Sequence, residues 1–124
     1  MILEQRTYTV DMHKLKAWLG IWEKYALPLQ IEHIVAFDGT FLGMFLTEVG
    51  PLNEVVHLWR HQSLASREQM RAALESDARW AVFRREVDQL APMFAMRSVI
   101  LRPTAFSPQL HARSAANVTA QPSA

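Results

Sequence analysis

The sequence predicts an α+β fold: a four-stranded antiparallel sheet with helices on one face, in the chain order β-α-β-β-α(α)-β. Three observations predict it. Residues 2–10 alternate like a strand with two unlike faces, residues 12–29 carry apolar side chains at the period of a helix, and residues 41–61 read as two strands joined across a turn. A chain of 124 residues suits one domain, and it is long enough to bury a core without metal or disulfide staples.

The first strand carries Ile2, Thr7, Tyr8, Thr9 and Val10, the β-branched and aromatic types that fit a pleated surface. Between Met12 and Leu29, the residues Leu15, Trp18, Leu19, Trp22, Tyr25, Ala26 and Leu29 form one stripe, with Lys14, Lys16, Glu23 and Lys24 off it. Pro28 is expected to mark the end of that helix. The stretch from Gln30 to Thr40 reads as irregular, with a turn at Asp38-Gly39. Phe41 to Val49 and Glu54 to His61 are the two hairpin strands, joined across Gly50-Pro51-Leu52-Asn53.

Ser63 or Ser66 can cap the next helix, Ser66 with Gln69 in the capping-box position, and that helix runs to about Glu75. Asp77 can cap a third, whose Trp80, Phe83, Val87 and Leu90 share a stripe that ends near Pro92. Met93 to Leu101 is the last strand. The domain is therefore expected over residues 1–108, with an Ala/Ser/Gln/Thr-rich tail over 109–124 that adds nothing to the core. The order is the ferredoxin-like one with its second helix split.

Composition excludes several functions. Thirteen Lys and Arg against twelve Asp and Glu give a net charge of +1, with no basic block to track phosphates, so nucleic acid is not an expected partner. The absence of cysteine removes disulfides, thiolate nucleophiles and Cys-bound metals. Met1 to Arg6 lack the apolar core of a signal peptide, and no apolar run could span a bilayer, so a cytoplasmic location without membrane association is expected. His13, His33, His61 and His111 have no second ligand at helical spacing; they are expected at the surface, with no metal site.

Three blocks closely resemble the NIPSNAP family: Glu4 to Thr9, Thr47 to Trp59, and Ser63 to Arg67. The likeness continues through Arg71-Ala72-Ala73-Leu74, Trp80-Ala81-Val82-Phe83 and Ile100-Leu101-Arg102-Pro103, and so covers residues 1 to 108. Asp11-Met12-His13-Lys14 departs from the Gly-containing turn usual there, and Ile34 to Gly39 departs from the usual linker. The resemblance implies a ferredoxin-like subunit that pairs sheet to sheet as a dimeric α/β barrel, hence a homodimer. It also implies a pocket between sheet and helices. Haem occurs elsewhere in this barrel class, but no helix histidine lies on an apolar stripe here, so no cofactor is expected.

In a strand, alternate side chains share a face about 6.8 Å apart, so Glu4, Arg6 and Tyr8 lie together, as do His57 and Trp59. Ferredoxin-like topology makes their strands neighbours. His57 is the first choice for proton transfer, Arg6 or Tyr8 for stabilising an oxyanion, and Glu4 for orienting Arg6 or His57. Trp59, with Trp22 and Tyr25, is expected to hold a flat small-molecule ligand. The bland alternative is that Glu4 and Arg6 neutralise each other while Tyr8, His57 and the tryptophans are satisfied core residues. Arg67 and Arg71, one turn apart, are either an anion clamp or a solvated helix face.

The opposite faces, with Gln5, Thr7, Val56 and Leu58, are expected to meet a second copy of the chain. The function expected is a cofactor-independent acid/base enzyme of the cyclase, isomerase or dehydratase type, with a monooxygenase as a variant, acting on a largely apolar or aromatic molecule. The rival is a non-catalytic binding or adaptor protein.

Overall fold

The computed structural model describes residues 1–108; the expected tail and His111 lie outside the described residues. Strand β1 (Ile2–Val10) leads through a 3-10 turn, Met12–Lys14, into a helical arm made of α1 (Leu15–Ile21), a π-helical stretch Trp22–Ala26, and α2 (Leu27–Ala36). Asp11 starts the turn by accepting the His13 amide at 3.0 Å, a side-chain solution to a corner that a glycine could make with backbone alone.

The arm corrects two expectations: Pro28 does not end the helix, and the chain from Gln30 onward is not irregular. Pro28 stands in the first turn of α2. The π turn before it, in which the Leu27 amide reaches back to the Trp22 carbonyl, gives room to the ring and shifts the ladder where the proline N–H is missing. Beyond it Leu29 and Ile34 continue the buried stripe. The turn at Asp38-Gly39 is as expected: Asp38 takes φ 58°, and the Gly39 amide returns to the Ile34 carbonyl at 2.8 Å. A Cβ on Gly39 would sit 2.7 Å from the Arg60 carbonyl oxygen, so glycine alone fits there.

Next come β2 (Thr40–Leu46), β3 (Glu54–His61), α3 (Leu64–Glu75), α4 (Ala78–Leu90) and β4 (Met93–Leu101). β2 stops at Leu46, short of the expected Val49, because the Thr47 hydroxyl already donates to the Glu54 carbonyl at 2.9 Å and closes the turn. Ser63 is the cap of α3, its hydroxyl accepting the Ser66 amide at 3.0 Å, and Asp77 caps α4.

The strands form one antiparallel sheet in the order β2-β3-β1-β4, the ferredoxin-like arrangement. Register places Glu4 opposite Trp59 and Ile100, Arg6 opposite His57 and Ser98, and Tyr8 opposite Val55 and Met96. The helices cover that face. Val10, Val55 and Trp59 from the sheet pack with Trp18, Trp22, Leu29, Ile34, Met70, Leu74 and Trp80 from the helices into the core. The other face carries Gln5, Thr7, Val56 and Leu58, and among the described residues no helix lies over it. Phe45 is 51% exposed there and Leu101 42%.

Candidate functional site

Two connected spaces lie between the helices and the sheet. The outer one is a cleft of about 280 Å³ walled by Trp18, Trp22, Trp80, Phe83, Val87 and Met96, with Arg6, Tyr8, Gln30, Arg71, Arg84 and Asp88 supplying polarity. The inner one is a chamber of about 10 Å³ bordered by Glu4, Arg6, Gln30, His57, Trp59, Met70 and Arg71, room for one water-sized atom. Arg6, Gln30 and Arg71 border both spaces, so the chamber is the floor of the cleft.

Strand alternation brings Glu4, Arg6, Tyr8, His57 and Trp59 to this face, as the sequence indicates, but their partners differ from those expected. Glu4 is 2% exposed. It accepts from Arg67 at 2.8 Å and Ser98 at 3.0 Å, pairs with His61 at 3.2 Å, and keeps only a 3.7 Å contact with Arg6. Burial by itself would raise its pKa. The hydrogen bonds from His61 and Arg67 and the charges of Arg6 and Arg67 outweigh that and hold it well below the usual carboxylate range. Glu4 therefore organises Arg67 and His61 more than Arg6 or His57.

His57 is 1% exposed. The Trp59 indole N–H donates to its Nδ1 at 2.7 Å, so Nδ1 is a lone pair and Nε2 carries the proton. Nε2 has no partner. Burial first, then the charge of Arg6 with a smaller push from Arg71, lowers its pKa to about 3 against an opposing effect of Glu4. At neutral pH His57 is thus an uncharged N–H donor beside the chamber. That differs from the proton acceptor the sequence suggests, and a residue two positions away decides it.

Tyr8 packs edge-on to His57, with ring centres 4.8 Å apart, and to Trp18 at 5.7 Å, with the Arg6 guanidinium 5.6 Å over its ring. Arg6 Nε is buried without a partner, as is Gln30 Oε1. Trp22 lines the cleft. Trp59 lies at the chamber, its ring 4.7 Å from Phe41, so it holds His57 in place and does not wall the cleft. Tyr25 is not brought to either space; Lys24 lies 5.0 Å over its ring.

Several expectations change here. His61 is not a surface residue: it is 2% exposed and bound to Glu4. Alternation could have found it, since it continues the face of His57 and Trp59. His33 is half-buried and pairs with Asp77 at 2.9 Å, while His13 is exposed. Arg67 and Arg71 are neither a joint clamp nor a solvated face, because Arg67 turns to Glu4 and Arg71 to the cleft with Arg6. Arg71 retains a 3.8 Å contact with Glu75. Gln30 was hidden in a stretch read as irregular; its signal was the apolar spacing that persists past Pro28. Among the described residues no group of three or more His, Cys, Asp or Glu is placed to hold a metal ion, and no helix is long and apolar enough to cross a membrane.

Comparison with known proteins gives a match to the NIPSNAP family model over residues 3–108. The chain is similar to a NIPSNAP family protein of unknown function from Agrobacterium tumefaciens, at 34% identity and TM-score 0.76 over 89% of this chain and 94% of that one. It is also similar to a NIPSNAP-like domain protein from Burkholderia xenovorans, at 32% identity and TM-score 0.75 over 88% and 90%. A candidate antibiotic biosynthesis monooxygenase from Nitrosomonas europaea shares the fold, with 14% identity and TM-score 0.57 over 83% and 98%. None of the curated proteins matches the chain.

Proposed function

The chain belongs to the NIPSNAP family, and from its cleft we propose that it is a small-molecule-binding protein that performs cofactor-independent acid/base chemistry on an apolar or aromatic molecule. The observation that carries this reading is the set of buried, unpartnered polar atoms at the floor of an aromatic cleft: His57 Nε2, Arg6 Nε and Gln30 Oε1. Buried polar atoms are paired in most proteins, so a group of orphans bordering one cavity marks a place for a ligand.

In this reading the walls of Trp18, Trp22, Trp80 and Phe83 take the apolar body. A carbonyl, carboxyl or hydroxyl oxygen enters the chamber, where the neutral His57 N–H and the Arg6 guanidinium stabilise the negative charge on it. Tyr8 holds Arg6 and His57 in place, and Glu4 ties β3 and β4 to β1 through His61 and Ser98 and α3 to the sheet through Arg67. This suits cyclases, isomerases and dehydratases, whose shared need is an enolate-like oxyanion, and a monooxygenase acting on a phenolate has the same need. A non-catalytic binding protein is the second reading. It is favoured by the commitment of Glu4 to three partners and of the His57 lone pair to Trp59, which leaves the floor rich in donors and poor in bases.

Residues 1–108 are taken as the folding unit. A homodimer formed over the open sheet face accounts for the apolar side chains exposed there, and light scattering that returns a monomer at micromolar concentration removes the dimer. The test of function is mass spectrometry of the ligand that co-purifies, followed by titration of that compound against tryptophan fluorescence. Retention in the wild type and loss in His57→Ala, with the fold kept, is the expected result. An empty cleft that no aromatic compound enters would sink the reading.

A further inference from the structure

We infer that the molecule taken by this cleft is an apolar carboxylate, its carboxylate held between Arg6 and Arg71 with one oxygen in the chamber beside His57. This rests on the cleft being a ligand site and adds the ligand's charge. Charge balance around the chamber favours an anion. Three arginines converge around the chamber region, and Glu4, the carboxylate at its edge, is already taken by Arg67 at 2.8 Å.

Arg6 is left with its 3.7 Å contact to Glu4, and Arg71 with a 3.8 Å contact to the more exposed Glu75. Both distances exceed those of charge-assisted hydrogen bonds. Two guanidiniums thus border one partly buried space in which Asp88, the other carboxylate of the cleft lining, pairs with neither, and burial together with the charge of Arg6 pulls the Arg71 pKa down. A bound anion relieves that repulsion.

Donor geometry points the same way. His57 Nε2 and Arg6 Nε are buried N–H donors without acceptors, against the single orphaned acceptor Gln30 Oε1, so an acceptor-only carboxylate answers more of the floor than a neutral amide, which brings donors of its own. Size does too. A chamber of about 10 Å³ admits one oxygen, leaving a planar carboxylate only its second oxygen to place beside Arg6 and Arg71; a tetrahedral phosphate has two or three more to place. The cleft above is walled by Trp18, Trp22, Trp80 and Phe83, with Arg84 and Asp88 also in its lining, so the remainder of the molecule is largely apolar and flat.

The test uses matched pairs on the full chain: benzoate with benzamide, 2-naphthoate with 2-naphthamide, indole-3-acetate with indole-3-acetamide, and phenyl phosphate. Calorimetry and the fluorescence of the cleft tryptophans report binding. Carboxylates are expected to bind at least about tenfold more tightly than their amides, the scale of one charge-assisted contact. Arg71→Gln should remove most of that preference, weakening the carboxylates far more than the amides. Amides that bind as well as the carboxylates overturn the charge inference and leave the ligand site standing. Tighter binding of phenyl phosphate than of benzoate overturns the choice of carboxylate. If neither member of any pair enters the wild-type cleft, the site itself falls, and this inference with it. Should Arg71→Gln fail to fold, the wild-type pairs already decide the matter.

Discussion

The two ends of the same pair of strands differ in how completely their polar groups are satisfied. At the Glu4 end, Arg67, Ser98 and His61 saturate one buried carboxylate. Two register pairs further along, at Arg6 and His57, a part-buried guanidinium and a buried imidazole have open valences: His57 Nε2 and Arg6 Nε face a small cavity with no partner. Both ends sit under the same helices and belong to the same ladder. The difference teaches that the first cluster works for the fold, because its carboxylate is fully engaged and only Arg67 Nε lacks a partner there, away from the chamber, and that the second, whose orphaned atoms border the chamber, leaves its bonds to a ligand.

The largest expected effect breaks the closed end. Glu4→Ala leaves Arg67 and His61 facing each other without their shared carboxylate, and removing one partner of a buried pair costs about 3–5 kcal/mol. Urea denaturation should show that loss, whereas a change under 1 kcal/mol would mean that the Glu4 cluster is no more structural than the His57 one.

Acid should act on both ends in sequence. His57 has a folded pKa of about 3 against an ordinary 6.5, so the unfolded chain binds a proton there that the folded chain refuses. Stability should then fall as pH drops from about 6.5 towards 3, at up to about 1.4 kcal/mol per pH unit. Glu4 is also depressed; its contribution is present above its ordinary range and is lost only below it. Replacing His57 by Gln should flatten the upper part of the acid limb and leave the lower part. An unchanged limb between pH 6.5 and 4.5 would show that His57 is not buried as a neutral group.

His57→Ala comes next in size. It leaves the Trp59 N–H without an acceptor and opens a small cavity, for about 1–3 kcal/mol, and it should weaken ligand binding by more than its effect on folding explains. A destabilised protein that binds or turns over its ligand as before would place His57 with Glu4 as a structural residue. The smallest effect is expected from deleting residues 109–124. The core described is built from residues 10–80, so the melting temperature should move by no more than about one degree. A drop of several degrees would show that the tail takes part in the body.

Much of this was legible from residue types and periods alone. Alternation put Glu4, Arg6 and Tyr8 on one face and His57 with Trp59 on one face, and caps at Ser63 and Asp77 started their helices where expected. Where sequence and structure differ, one cause recurs: Pro28 predicts a helix end because propensity knows nothing of the π turn that accommodates it. Gln30 was therefore missed at the cleft. Arg67 and Arg71 looked equivalent on their helix, yet a turn of helix over a twisted sheet sends one to Glu4 and the other to the cleft.

By itself, then, the sequence determined the order of elements, the faces of the strands and the family, because those follow from local periods of two and 3.6 residues and from short contiguous blocks. Only the tertiary structure decided which polar groups are satisfied. Glu4 finds partners 57, 63 and 94 residues away, and His57 loses its lone pair to an indole whose side-chain direction no spacing rule supplies. Hydrogen bonding and burial in the low-dielectric interior set protonation, and both depend on contacts between segments that the chain order does not place side by side.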